Sequence, residues 1–101
     1  MLTQNEMDII AEKYLFDLEP KTRIPVIILH AYTTKKDYGN IYFFDSKMRV
    51  ETGDDRYAIA GNAPFLVEKA TGKIIVFGTA RSEEYYIQEY EAGRWVPAGS
   101  K

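Results

Sequence analysis

Met7, Ile10, Ala11, Tyr14, Leu15 and Leu18 recur at i, i+3, i+4, i+7, i+8 and i+11, while Glu6, Asp8, Glu12, Lys13 and Asp17 fall mostly outside that series. This is the spacing of a helix with one apolar stripe, which belongs against a core. Thr3 followed three residues later by Glu6 matches a capping box, in which the hydroxyl and the carboxylate satisfy backbone N–H groups at a helix start. The helix is predicted to begin there and to end at Pro20.

Ile24 to Tyr32 is β-branched and apolar, and after Pro25 it is too short for a good helix. It predicts a strand covered on both faces for much of its length, with Pro25 near its start, where a missing N–H is tolerated. The polar stretch Thr33–Asp37 is expected to close a hairpin onto a second strand, Tyr38 to Phe44. Tyr38, Asn40, Tyr42 and Phe44 fall on one face of that strand and Ile41 and Phe43 on the other; alternation does not choose the buried face. From Asp45 to Gly61 the pattern weakens. Met48 and Val50 alternate with charged residues, Gly53-Asp54-Asp55 signals a turn, and a further short strand fits at either end.

Phe65–Lys69 and Lys73–Thr79 predict two strands joined through Ala70-Thr71-Gly72, with Gly72 taking the left-handed conformation of the loop. Ile74 to Phe77 is apolar at every position, the signature of a central strand. Gly78 ends that run, Ser82 caps a following helix, and Glu83 and Glu84 complement the positive end of its dipole. Tyr86, Ile87 and Tyr90 are expected to face the core, Gly93 to close the helix, and Trp95 and Val96 to dock back on the domain, since an indole is costly to leave in water. The class is α+β: an N-terminal helix, a mainly antiparallel sheet of about four strands, and a short C-terminal helix packed on the sheet, in one domain over residues 1–101.

Charge narrows the function classes. Thirteen Lys and Arg against fifteen Asp and Glu give a net charge of −2, and nucleic-acid affinity comes mainly from neutralising phosphates. The aromatic strand Tyr38–Phe44 lacks the basic residues that a base-stacking platform needs, so no nucleic-acid partner is expected. The chain has no cysteine, hence no disulfide framework and no thiolate chemistry. MLTQNEMDII lacks the basic region of a signal peptide. The longest apolar run, Ile24–Leu29, contains Pro25 and is far short of the ~20 residues that span a bilayer. A cytoplasmic protein without a membrane segment is expected.

Reaction chemistry is thin. His30 is the one histidine, with no Cys, His or acidic cluster beside it in sequence, and a structural or surface role is expected for it. Ser46, Ser82 and Ser100 do not lie in a G-x-S-x-G elbow. Gly78–Glu84 follows a strand and precedes a helix but carries no G-K-[ST]. Glu51, Asp54 and Asp55 surround Gly53 without the alternating oxygen ligands of a calcium loop. No catalytic residue, cofactor or metal ligand is expected, and the protein is not expected to be an enzyme.

The order Gly61, Asn62, Pro64, Val67, then Thr71 and Gly72, then Gly78, Thr79 and Ala80, then Glu84, Tyr86 and Ile87 resembles the YrhB-like domain family, catalogued among bacterial immunity proteins of polymorphic toxin systems. Tyr42–Asp54 is similar to the family's aromatic strand and the loop after it, with Tyr42 where a Trp is expected. The resemblance implies a small α+β domain that binds and neutralises a cognate bacterial toxin by occlusion, without catalysis. Its motif residues have scaffold roles. Against a basic toxin the acidic side chains would steer and hold the partner: Glu51, Asp54 and Asp55 first, Glu83 and Glu84 second. A chaperone-like or stress-related binding protein is the alternative, using exposed apolar residues such as Trp95, Val96, Tyr38 or Tyr42. An aromatic sheet face left uncovered by two short helices would invite a homodimer.

Overall fold

A computed structural model of the chain describes residues 1–59 and 62–93. Gly61 of the family pattern, Ser100, and Trp95 and Val96 with their expected docking lie outside the described residues. Helix α1, Gln4–Thr22, starts on the predicted capping box: the Thr3 hydroxyl accepts the Glu6 N–H at 3.1 Å and the Glu6 carboxylate accepts the Thr3 N–H at 2.8 Å. It does not end at Pro20, which lies inside its last turn. The Thr22 hydroxyl (3.0 Å) and the Arg23 N–H (2.9 Å) both donate to the Glu19 carbonyl, which ties off that turn, and Arg23 stops the helix at φ 62°.

The expected strand Ile24–Tyr32 shrinks to β1, Val26–Ile28, followed by a 3-10 turn at His30–Tyr32. The polar segment expected as a connector is itself a strand, β2 (Thr34–Lys36), and the hairpin turn falls later, at Asp37-Tyr38. The expected strand Tyr38–Phe44 divides at Phe43 into β3, Gly39–Tyr42, and β4, Phe44–Ser46. The Phe43 carbonyl accepts the Leu29 N–H at 2.8 Å, and there the chain changes partners: β3 pairs with β2, β4 with β1. Gly39 lets β3 lie close against the strand Phe65–Glu68 on its other side, because a Cβ there would stand 2.2 Å from the Val67 carbonyl oxygen.

Asp45–Gly61 contains a helix where a strand was allowed. In α2, Lys47–Thr52, the Ser46 hydroxyl accepts the Arg49 N–H at 3.3 Å and Gly53 closes the end at φ 71°. Met48 and Val50, whose alternation suggested a strand, are exposed. A 3-10 turn, Asp55–Tyr57, follows.

Strands β5, Phe65–Glu68, and β6, Ile74–Val76, form the predicted hairpin, with Gly72 at φ 75° and its N–H donating to the Glu68 carbonyl at 2.8 Å. The four-stranded sheet is antiparallel in the order β2-β3-β5-β6; β1 and β4 make a separate two-stranded sheet. β6 is therefore an edge strand, not the central one its apolar run predicts. Ser82 caps α3, Glu83–Glu91, as expected.

The two helices take opposite faces of the four-stranded sheet. Against α1, the side chains of Met7, Ala11 and Leu15 meet Tyr42, Phe65 and Val67, with Val26, Ile28 and Phe44 alongside. Against α3, Tyr86 meets Ile41, Leu66, Ile75 and Phe77, with Tyr38, Phe43, Ile87 and Tyr90 packed around them. Register explains the division: Ile41 pairs with Leu66 and Leu66 with Ile75, so the three share a face, while Asn40, Val67 and Ile74 share the other. Tyr38 parts from Asn40 and Tyr42 because it sits in the hairpin turn. Full burial of a side chain such as Phe65 contributes about 1.5–3 kcal/mol. The fold is α+β, with helices segregated from an antiparallel sheet.

Candidate functional site

The acidic segment Glu51–Asp55 is exposed at every residue but Asp54. It rides on α2 and the 3-10 turn after it, and one arginine fastens it to the domain. Asp45 on β4 is buried; its carboxylate accepts the Ser46 N–H at 2.7 Å and the Arg49 guanidinium. Arg49 also reaches Asp55, with Nε and a terminal nitrogen each 3.3 Å from Oδ1. These hydrogen bonds, that to Asp45 first, raise the Arg49 pKa further above its ordinary value. The bridge therefore runs from a buried carboxylate, Asp45, through Arg49 to an exposed one, Asp55.

Three candidate carboxylates meet different fates here. The Asp54 carboxylate accepts the Arg56 N–H at 2.9 Å and is forked by the Arg56 guanidinium at 2.6–3.1 Å. Arg56 holds the Asp54 carboxyl below the usual carboxylate range, and the pair offers a partner little net charge. Asp55 keeps 88% of its side chain exposed despite Arg49. Glu51 is exposed on α2. Of the three, Asp54 is the least exposed, at 28% of its side chain, while Glu51 and Asp55, the latter sharing Arg49 with Asp45, face solvent.

Glu83 and Glu84 stand exposed in the first turn of α3. They sit on a separate element: Glu83 lines a shallow depression of about 240 Å³ with Leu29, Tyr32, Thr34 and Phe43. The far end of α3 is latched to the β2–β3 hairpin. The Tyr38 hydroxyl donates to Glu91 at 2.7 Å, Lys36 lies 3.5 Å from the same carboxylate oxygen, and the Tyr38 and Tyr90 rings are 4.9 Å apart. Burial, and then a hydrogen bond donated to Glu68, push the Tyr90 hydroxyl up to about 12.

His30 gains a partner that sequence proximity did not offer. Glu12 on α1 reaches its Nε2 at 3.0 Å, both side chains being more than half exposed. Two shallow depressions flank Phe16 on α1, and Glu12 lines one of them, but His30 lines neither. Ser46 and Ser82 are spent as helix caps. Among the described residues no three His, Cys, Asp or Glu side chains are grouped as a metal site requires.

The apolar surface also differs from expectation. Tyr42 is fully buried, and Tyr38 is partly buried against α3. Exposed instead are Ile9 (60%) and Phe16 (74%), one heptad apart on the outer face of α1, and Tyr32 on the 3-10 turn. Their neighbours in the helix are charged, and the inner stripe of α1 already has its full apolar width, so nothing in the pattern singled them out. Arg49 with Asp45 was discoverable as an i, i+4 pair once a helix was assigned there; His30–Glu12 and Tyr38–Glu91 depend on tertiary contacts.

This architecture defines a small α+β domain with a helix packed on each face of its main sheet. No protein-family model matches the chain, and no solved structure matches it. Over 92 residues, 90% of each chain, it is 37% identical to YrhB, an uncharacterized protein of Escherichia coli (strain K12). The chain belongs to the YrhB-like family. Among the described residues, no helix is long and apolar enough to cross a membrane.

Proposed function

We propose that this protein is a cytoplasmic bacterial immunity protein that binds a cognate toxin and neutralises it by occlusion, without catalysis or cofactor. The observation that carries this reading is the anchored acidic platform. Arg49 links exposed Asp55 to buried Asp45, and Glu51 stands exposed on the adjoining helix α2. Preorganised charge lowers the ordering cost of association and speeds encounter with a basic partner. Glu83 and Glu84 form the second acidic patch, and Asp54, neutralised by Arg56, contributes least.

The test is co-expression with the product of the adjacent gene, followed by titration of the purified pair. Protection of growth and a tight one-to-one complex are expected. E51K with D55K should weaken binding at least tenfold, mostly through a slower on-rate that salt mimics. Unchanged affinity in that double variant would remove the platform as the docking surface; absence of any complex would remove the immunity reading.

A chaperone-like role is favoured by a different observation, the exposed Ile9 and Phe16 on α1. It predicts suppression of aggregation of unrelated proteins that is lost in F16S, with no single tight partner.

A further inference from the structure

The two edges of the four-stranded sheet are built differently. β2 carries Lys35 and Lys36, charges of the kind that discourage strand addition, and Lys36 is further tied to Glu91. β6 reads Ile74-Ile75-Val76, with no charge, proline or positive-φ residue, and leaves Val76 40% exposed.

The backbone of β6 is directional as well. The Glu68 N–H donates to the Lys73 carbonyl and the Phe77 N–H to the Pro64 carbonyl, each at 2.9 Å, while Leu66 is paired with Ile75. Residues 73, 75 and 77 therefore turn their polar groups toward β5, and Ile74 and Val76 turn theirs toward the open edge. Among the described residues no backbone hydrogen bond outside the β5–β6 pairing uses those of Ile74 or Val76.

We infer that β6 is the dimerisation edge of this protein: a second copy pairs antiparallel through its own β6, joining two four-stranded sheets into one of eight strands. The register follows from the outward groups. A two-fold axis normal to the sheet at Ile75 sets Ile74 opposite Val76 of the second copy, and Val76 opposite Ile74. Both are hydrogen-bonding pairs, so four N–H···O bonds form and no outward group of either residue is left unpaired. Side chains agree. Val76 and Ile74 lie on the α1 face, so exposed Val76 meets a partly buried isoleucine, and Ile75 meets Ile75 on the α3 face. Pairing also makes β6 the interior strand that its uninterrupted apolar run describes. This rests on the edge alone and is independent of the proposed toxin binding.

A three-residue strand pair falls short of the roughly 1,200 Å² that marks stable interfaces, so the dimer is expected to be concentration-dependent. Sedimentation of the full chain from low micromolar to millimolar concentration should show the mass rising from 11.6 kDa toward twice that value. V76K, which gives β6 the kind of charge β2 carries at an already exposed position, should stay monomeric and melt like wild type. Amide exchange of the unmodified protein supplies a readout that needs no variant: Ile74 and Val76 should slow at least tenfold as concentration rises, while Lys35 does not change. A monomer at every concentration, a dimer that survives V76K, or concentration-independent protection of Ile74 and Val76 would each overturn the inference.

Discussion

The hydroxyl of Tyr86 occupies the space beside Gly78: a Cβ on that glycine would lie 2.5 Å from the oxygen and 3.0 Å from the ring carbon that bears it. Gly78 is not in the left-handed region, so its role is clearance. Through it Tyr86 buries its ring against Phe77, with centroids 5.9 Å apart.

The prediction is that G78A destabilises by about 1–3 kcal/mol through overpacking. Y86F removes the crowding oxygen, so adding it to G78A should recover part of the loss. A urea-denaturation double-mutant cycle measures the coupling, and strictly additive effects would show that the two positions do not interact.

Tyr42 joins α1 to the sheet by a polar chain within an apolar layer. Its hydroxyl donates to Asp8 at 2.6 Å and accepts from the buried Asn40 amide at 3.1 Å, and Gln4 bonds both Asp8 and Asn40 at 2.8 Å. Burial, then the bond to Asp8, raise the Tyr42 pKa. Y42F preserves the ring but strips Asp8 and Asn40 of a partner, and should cost about 1–3 kcal/mol. Chemical denaturation measures it, and a loss below about 0.5 kcal/mol would show the network to be dispensable.

Acid should weaken the α3 latch. The Tyr38 hydrogen bond, and then Lys36, hold the Glu91 carboxyl below its ordinary range, as Arg56 does for Asp54. Both pKa values are depressed in the folded chain, so their contribution is present above the unfolded values of ~4 and is lost as pH falls through the folded ones. The melting temperature should drop below about pH 4, and Y38F should lessen that dependence. Tyr90 acts at the other end: raised to about 12, it contributes below the ordinary ~10 and loses its contribution as pH climbs toward the folded value. A melting temperature flat from pH 5 to 2.5 would contradict the acid arm.

Much of the fold was legible where a local signal and the burial pattern coincide: Thr3 and Glu6 at the start of α1, Gly72 in the β5–β6 hairpin, Ser82 before α3, and Tyr86, Ile87 and Tyr90 facing the core. The region from Ile24 to Asp55 was less so. Its strands are three or four residues long, and a period of two repeated once is too little to fix where a strand starts or which partner it takes. Met48 and Val50 misled because exposed apolar residues on a short helix mimic alternation. At the acidic candidates composition gave the sign of the charge, but the local backbone geometry that pairs Asp54 with Arg56 two residues on, and Asp55 with Arg49 six residues back, was not legible before α2 and the 3-10 turn were placed.

The break between β3 and β4 at Phe43 bears on folding order. Tyr42 and Phe44 both pack against Phe65, at 5.6 and 6.2 Å between ring centroids, yet they belong to different sheets, while Phe43 packs with the α3 cluster. Neither sheet can complete before this run is placed, and placing it closes a loop back to α1 and another forward to β5. Such a junction has the makings of a folding nucleus. F44L should slow folding more than it speeds unfolding, whereas truncating Thr34 on the β2 edge should act mainly on unfolding. The YrhB-like fold would then assemble outward from one aromatic crossing, with the edge strands β2 and β6 added last.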